Sequence, residues 1–207
     1  MVQPVTADAV DAPRAGGYAR GRATRGLVVD AAMELFGEVG YRAASLREIA
    51  ARSGITHPGL LHHFPTKAAL LSAVLARRDE QDTERYPLTG PAVDQLRSLI
   101  GLVQHNVDAP ALVELHATLS AEATDPGHPA HAWCVARYVE TRRLFRQAFE
   151  RAAVDGVLHA DVDPATAAVA LAALMDGLQV QWLLDRSSVD MVAVVRDHLN
   201  RLVSVDL

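Results

Sequence analysis

The sequence predicts an all-α chain, and three observations carry that reading. Apolar residues recur at the spacing of one helix face along most of its length. No alternating β-branched run is bounded by a hairpin turn. Proline, glycine and aspartate fall between the periodic stretches, where helices start and stop.

Residues 1–20 contain Pro4, Pro13, Gly16 and Gly17 and few large apolar groups, and read as a flexible arm. From Thr24, the residues Leu27, Val28, Ala31, Ala32, Leu35, Phe36 and Val39 mark one helix face, and Gly40 supplies the stop. Gly26 inside that helix costs about 1 kcal/mol relative to alanine. Ser45-Leu46-Arg47-Glu48 is a capping box: the hydroxyl bonds an orphan backbone N–H while Glu48 reaches back. The short helix it opens turns Leu46, Ile49 and Ala50 inward and ends at Gly54. Thr56 caps another short helix, with Pro58 tolerated in its first turn and Leu60, Leu61 and Phe64 as its apolar contacts.

Pro65 closes that helix and Thr66 begins a longer one reaching about residue 85. Further helices are expected over 93–106, 111–123, 129–155, 164–184 and 189–205. Their breaks fall at Pro110, at Asp125-Pro126-Gly127, at Gly156 and at Asp163-Pro164, an N-cap followed by proline at the first helical position. No internal repeat is visible.

Half of the 207 residues are apolar and 22% are charged, so a packed core is expected. The single cysteine, Cys134, excludes an intramolecular disulfide and a Cys-rich zinc framework, and favours a reducing, cytoplasmic setting. No basic-then-apolar leader opens the chain. The longest apolar run, 165–184, is interrupted by Asp176, Gln179 and Gln181, so no membrane span is expected; a helix apolar on nearly every side belongs between a core and a partner. Net charge is −5, yet 12–67 holds eight basic residues against four acidic, a balance of +4, whereas residues from 68 onward hold 12 against 19, a balance of −7. A basic head on an acidic body suits a nucleic-acid-binding module joined to something else.

The two short helices meet the needs of a helix-turn-helix. Gly54 accepts the positive φ of the turn, Ala50 is small where the helices approach, and Ile49, Ile55, Leu60 and Phe64 form a mini-core. Thr56, His57, Gly59, His62 and His63 then face outward, toward a major groove, with Arg47 and Lys67 flanking as phosphate contacts. Periodicity alone leaves a second reading open, two ordinary capped helices of a bundle. Histidines 57, 62 and 63 also invite a metal or pH-sensing reading, but adjacent histidines on a helix diverge and no carboxylate cluster accompanies them.

The span 24–71 resembles the DNA-binding domain of the tetracycline-repressor (TetR) family. The likeness rests on Asp30-Ala31-Ala32, Leu35-Phe36, Gly40-Tyr41, Ser45-Leu46-Arg47-Glu48-Ile49-Ala50, Ser53-Gly54-Ile55, His63-Phe64 and Lys67. It implies an N-terminal three-helix domain with a helix-turn-helix over 21–67 and a larger helical ligand-binding and dimerisation domain over 68–207. It also implies DNA contacts by Arg22, Ser45, Arg47, Thr56, His57, Gly59, His62, His63 and Lys67. Two departures stand out: the family commonly has a tyrosine where this chain has Leu61, and a small-residue pair where it has His57-Pro58.

In the body, His105, His116, Trp133, Phe145, Met175 and Gln179 are candidates to line an apolar ligand cavity, with plain core packing as the alternative for each. Leu171, Leu174, Leu178, Trp182, Val195 and Leu199 give the last two helices apolar faces wider than one protomer needs, and are expected at a homodimer interface. His128, His131 and Cys134 stand at three-residue intervals, but such steps drift around a helix and His128 lies in a Pro-Gly-His-Pro turn, so no metal or cofactor is expected. No Gly-rich phosphate loop, nucleophile elbow or paired-carboxylate helix points to catalysis. The sequence therefore reads as a regulator released from a palindromic operator by an unknown small, largely apolar effector. A helical DNA-binding protein that has no such ligand and is controlled by a protein partner, or that organises DNA, is the alternative.

Overall fold

The computed structural model describes residues 15–85 and 88–207. Among the described residues the order is α1 (Ala15–Ala43), α2 (Leu46–Arg52), α3 (His57–His63), α4 (Lys67–Arg85), α5 (Ala92–Asp108), α6 (Pro110–Glu122), α7 (His131–Val154), α8 (Pro164–Leu184) and α9 (Met191–Asn200). The all-α expectation holds, with one isolated antiparallel bridge between Leu158 and Val203.

Most boundaries fall within about two residues of the sequence reading, and three differences have a clear cause. α1 begins at Ala15 rather than Thr24, so residues 15–20 of the expected arm are helical and 1–14 lie outside the described residues. Ala15, Ala19, Arg20 and Ala23 are strong helix formers and outweigh Gly16 and Gly17. α7 starts at His131, because Pro129 and Ala130 belong to the preceding turn. α9 ends at Asn200, where the chain leaves the helix to pair with the turn after α7: His159 N donates to Leu202 O at 2.9 Å and Ser204 N to Val157 O at 2.8 Å. Gly40 does interrupt α1, with φ at 80°, and a further turn runs to Ala43.

Two apolar cores result. One joins α1–α4 to Leu112, Leu115 and Leu119 of α6; the other joins α5, α7, α8 and α9 to Val113 of α6 around Leu96, Phe149, Leu171 and Leu199. α6 therefore serves both halves, and its seam with α1 is unusually close. A Cβ on Gly37 would lie 3.0 Å from the Leu115 backbone nitrogen. Thr118 donates to Gly37 O at 3.2 Å, and the Glu122 carboxylate accepts from Tyr41 N at 2.9 Å. Arg42 and Asp125 close the seam as an ion pair.

The two α1 glycines should respond oppositely to alanine. A Cβ at Gly26 meets only the Arg77 guanidinium at 3.7 Å, so Gly26→Ala should raise stability by up to about 1 kcal/mol through helix propensity. Gly37→Ala gains the same propensity but pushes α6 backbone away, and should lose roughly 1–3 kcal/mol from overpacking. Urea denaturation of both variants measures the difference.

Candidate functional site

The helix-turn-helix forms as the residues demand. Ser45 Oγ accepts from Arg47 N at 3.2 Å and Thr56 Oγ1 accepts from Gly59 N at 3.2 Å, so both helices are capped. Gly54 holds the turn with φ at 68°. Ile49, Ala50, Leu60 and Phe64 are buried beneath it, with Leu46, Ile55 and Leu61 packed alongside. The reciprocal half of the expected capping box is replaced. Glu48 turns along its own helix to Arg52 at 2.8 Å, while Arg52 also forks onto Glu38 of α1 at 2.6 and 2.8 Å. This bidentate pair fixes α2 against α1, raises the guanidinium's pKa further and holds the Glu38 carboxyl below its ordinary range.

Of the predicted DNA-contacting residues, Arg22, Ser45, Arg47, Thr56 and His62 are exposed, and His57, Gly59, His63 and Lys67 are half-buried. Lys67 has a structural duty: its ammonium donates to Arg42 O at 3.1 Å and Ala44 O at 2.9 Å, and sits 4.7 Å from the Tyr41 ring centroid. One of its three protons is left for a phosphate. Arg25 escaped the sequence reading. It donates to His63 O at 3.1 Å and lies 4.2 Å over the Phe64 ring, anchoring the end of α3 to α1. Its partners lie about 40 residues away, a distance that local spacing cannot reveal. Leu61 turns its partly buried side chain to the head core.

A cavity of about 730 Å³ opens in the body among α4–α8. His116, Trp133, Phe145, Met175 and Gln179 line it, as expected; His105 is not among its lining residues, and the neighbouring Asn106 takes that place. One residue on a helix is a rotation of about 100°, enough to exchange an inward for an outward side chain. The sequence reading also missed Tyr138 and Asp176, which form the polar end: the Asp176 carboxylate accepts from Tyr138 Oη at 2.8 Å and faces His116 Nε2 at 3.0 Å. Burial pushes the His116 pKa down despite the carboxylate, and pushes the Tyr138 phenol up.

The predicted dimer residues are mostly spent inside the protomer. Leu171, Leu178, Trp182, Val195 and Leu199 are buried in the second core and Leu174 packs against it. Their facing partners are α5 and α7, helices whose apolar faces the sequence reading had not weighed against these. α8 instead leaves Val169, Ala173, Gly177, Val180 and Leu184 exposed along one side. It is also the one helix among the described residues long and apolar enough to cross a membrane by length and composition, yet its other side packs against α6, α7 and α9.

His128, His131 and Cys134 diverge. His128 Nδ1 accepts from Ala130 N at 3.2 Å, His131 Nδ1 lies 2.8 Å from Ala123 O, and burial raises the Cys134 thiol. No group of three metal-ligating side chains occurs among the described residues.

Burial lowers the folded-state pKa of both His116 and His198 below the ordinary histidine value of about 6.5. Below that value the unfolded chain takes up protons that the folded chain refuses, so stability should fall as pH falls through about 6.5. Urea midpoints at pH 7.5 and 5.5 should show the loss, and His116→Gln should lessen it.

Residues 28–74 match the family described as bacterial regulatory proteins, tetR family, and residues 130–204 match the C-terminal region of BetI-type transcriptional repressors. The transcriptional repressor KstR2 of Rhodococcus jostii is 27% identical over 191 residues, covering 84% of this chain and 86% of its own. The crystal structure of NalD, secondary repressor of the MexAB-OprM multidrug efflux pump in Pseudomonas aeruginosa, is 30% identical with a TM-score of 0.65, covering 89% of this chain and 98% of its own. A TetR-family regulator from Agrobacterium tumefaciens shares the fold with a TM-score of 0.75 at 20% identity, over 89% of this chain and 100% of its own. A capped helix-turn-helix packed on a cavity-bearing helical body, matched along nearly its whole length, assigns the chain to the TetR family of bacterial transcriptional regulators.

Proposed function

We propose that this chain is a cytoplasmic, homodimeric repressor that reads a palindromic operator and lets go when a small, largely apolar molecule fills the body cavity. The observation that carries the reading is the double role of α6. His116 on this helix lines the cavity, and Thr118 and Glu122, within the next two turns, hold α1 of the head. A ligand that moves α6 moves its contacts with the head, which couples cavity and operator, and in this reading the two oppose each other. KstR2 and NalD are repressors by name, which favours repression over activation here.

The head is taken as 21–67 and the body as 68–207, with α4 contributing to the head core. In the head, His57, Gly59 and His62 meet base edges from α3, and Thr56 stands at its start. Arg22, Ser45, Arg47 and His63 lie along the phosphates, and Lys67 adds its remaining proton. In the body, the exposed stripe Val169, Ala173, Gly177, Val180 and Leu184 of α8, with Val194 of α9, is the dimer face. The positions follow helical spacing, and Gly177 has open space where a Cβ would be, so two such helices can approach closely. Twofold pairing of α8 and α9 makes a four-helix bundle and sets the reading helices one or more turns of ~34–36 Å apart on DNA.

Footprinting on the region upstream of its own gene, after gel shift, should show a twofold-symmetric, salt-sensitive site; an asymmetric or absent footprint overturns the reading. Arg47→Ala should weaken binding to all sequences and reduce the salt slope by about 1, the loss of one phosphate contact. His62→Ala should instead change preference at one base pair per half-site by roughly 1–3 kcal/mol.

A further inference from the structure

α8 presents an acceptor-rich strip to the cavity. Asp176 and Gln179 are spaced i, i+3, so their side chains stand on one face, and both line the 730 Å³ space. Gln179 is 7% exposed, and its Oε1 has no hydrogen-bond partner. Buried amide oxygens without a donor are rare, and such an oxygen calls for a partner: water, an ion or a ligand. The amide torsion is broad, so this oxygen turns toward the cavity at small cost. Asp176, an acceptor only, keeps about a third of its side chain accessible at 37% while it faces His116 and Tyr138. A carboxylate has about four lone-pair sites, and these two neighbours occupy two. Trp133, Phe145 and Met175 supply an apolar wall for the rest of the molecule.

Resting on the reading of this cavity as the effector site, we infer that its ligand is an apolar molecule whose polar end donates hydrogen bonds, a hydroxyl or an amine, to Asp176 and Gln179. A carboxylate-bearing ligand is the rival, because Arg78 and Arg137 also reach the cavity wall. Both guanidiniums are engaged: Arg78 donates to Leu112 O at 3.3 Å, Arg137 lies 5.6 Å from the Trp133 ring centroid, and each has further interactions. An anion would meet these arginines only in competition with those contacts or at the buried Arg78 Nε, and would sit against the Asp176 charge. A donor gains the Asp176 carboxylate in place and the Gln179 oxygen after a turn of its amide.

Four probes that share one apolar body separate the cases: 4-hexylphenol, 4-hexylbenzylamine, 4-hexylbenzoate and hexylbenzene. Thermal-shift titration and calorimetry of the full chain should show the phenol or the amine binding at least ~10-fold more tightly than the benzoate or the hydrocarbon, about the worth of one hydrogen bond to a charged group. Asp176→Asn should lose that preference, and Gln179→Met, which keeps volume and removes the acceptor, should weaken the preferred probe about fivefold. Tightest binding by the benzoate, or equal binding by all four, overturns the donor class and leaves the cavity as the effector site. Binding by none of the four overturns both. Preferred-probe affinity unchanged in Gln179→Met, the variant less exposed to folding defects, also overturns the inference.

Discussion

The close seam between α1 and α6 is the constraint on which everything else depends. Gly37 lets the α6 backbone come within the distance of a missing Cβ, Thr118 bonds the carbonyl at the contact, and Glu122 takes the Tyr41 N–H where α1 breaks at Gly40. A Cβ on Gly40 would lie 2.6 Å from Glu122 Oε1 and push that carboxylate off its contact, and the φ of 80° is one that L side chains rarely adopt. A carboxylate that accepts backbone N–H groups at a helix break is a directional, charge-assisted contact, and tolerates little sliding. Head and body are therefore joined by packed backbone rather than by a flexible linker.

The head has its own internal bracing, and it uses cations that charge counting alone assigns to DNA. Arg25, Arg52 and Lys67 tie α3, α2 and the end of α1 together through carbonyls, a carboxylate fork and aromatic faces. The reading helix is thereby held rigid before it meets any ligand, and binding energy is not lost to ordering it. The body divides α8 into two faces: one fills the second core and the cavity wall, and the other stays apolar and exposed.

The sequence made legible whatever is local. Capping by Ser45 and Thr56, the positive φ at Gly54, the break at Gly40 and the proline at the start of α8 all follow from short-range rules, and all are present. Five of the six cavity candidates line the cavity, because large or polar side chains on core-facing helix positions leave few other places to go. Long-range pairing was hidden. Arg52 belonged to Glu38 of α1, Lys67 to carbonyls at the end of α1, and Asp176 to His116 and Tyr138 across separate helices. The residues expected at a dimer face are buried in or packed on the protomer's own core, because an apolar residue does not declare which of two apolar surfaces it will meet. The α9 end was overrun because the tail pairing with Val157 and His159 depends on a turn about 45 residues upstream.

Amide hydrogen exchange at Tyr41 tests the seam most directly. If Glu122 holds this N–H as the coupling contact, the amide should exchange with the protection of the core in the free protein, lose protection in Glu122→Ala, and change when 4-hexylphenol or 4-hexylbenzylamine, whichever binds, fills the cavity. Exchange at the rate of a fraying helix end, or protection that ignores an occupied cavity, would contradict it.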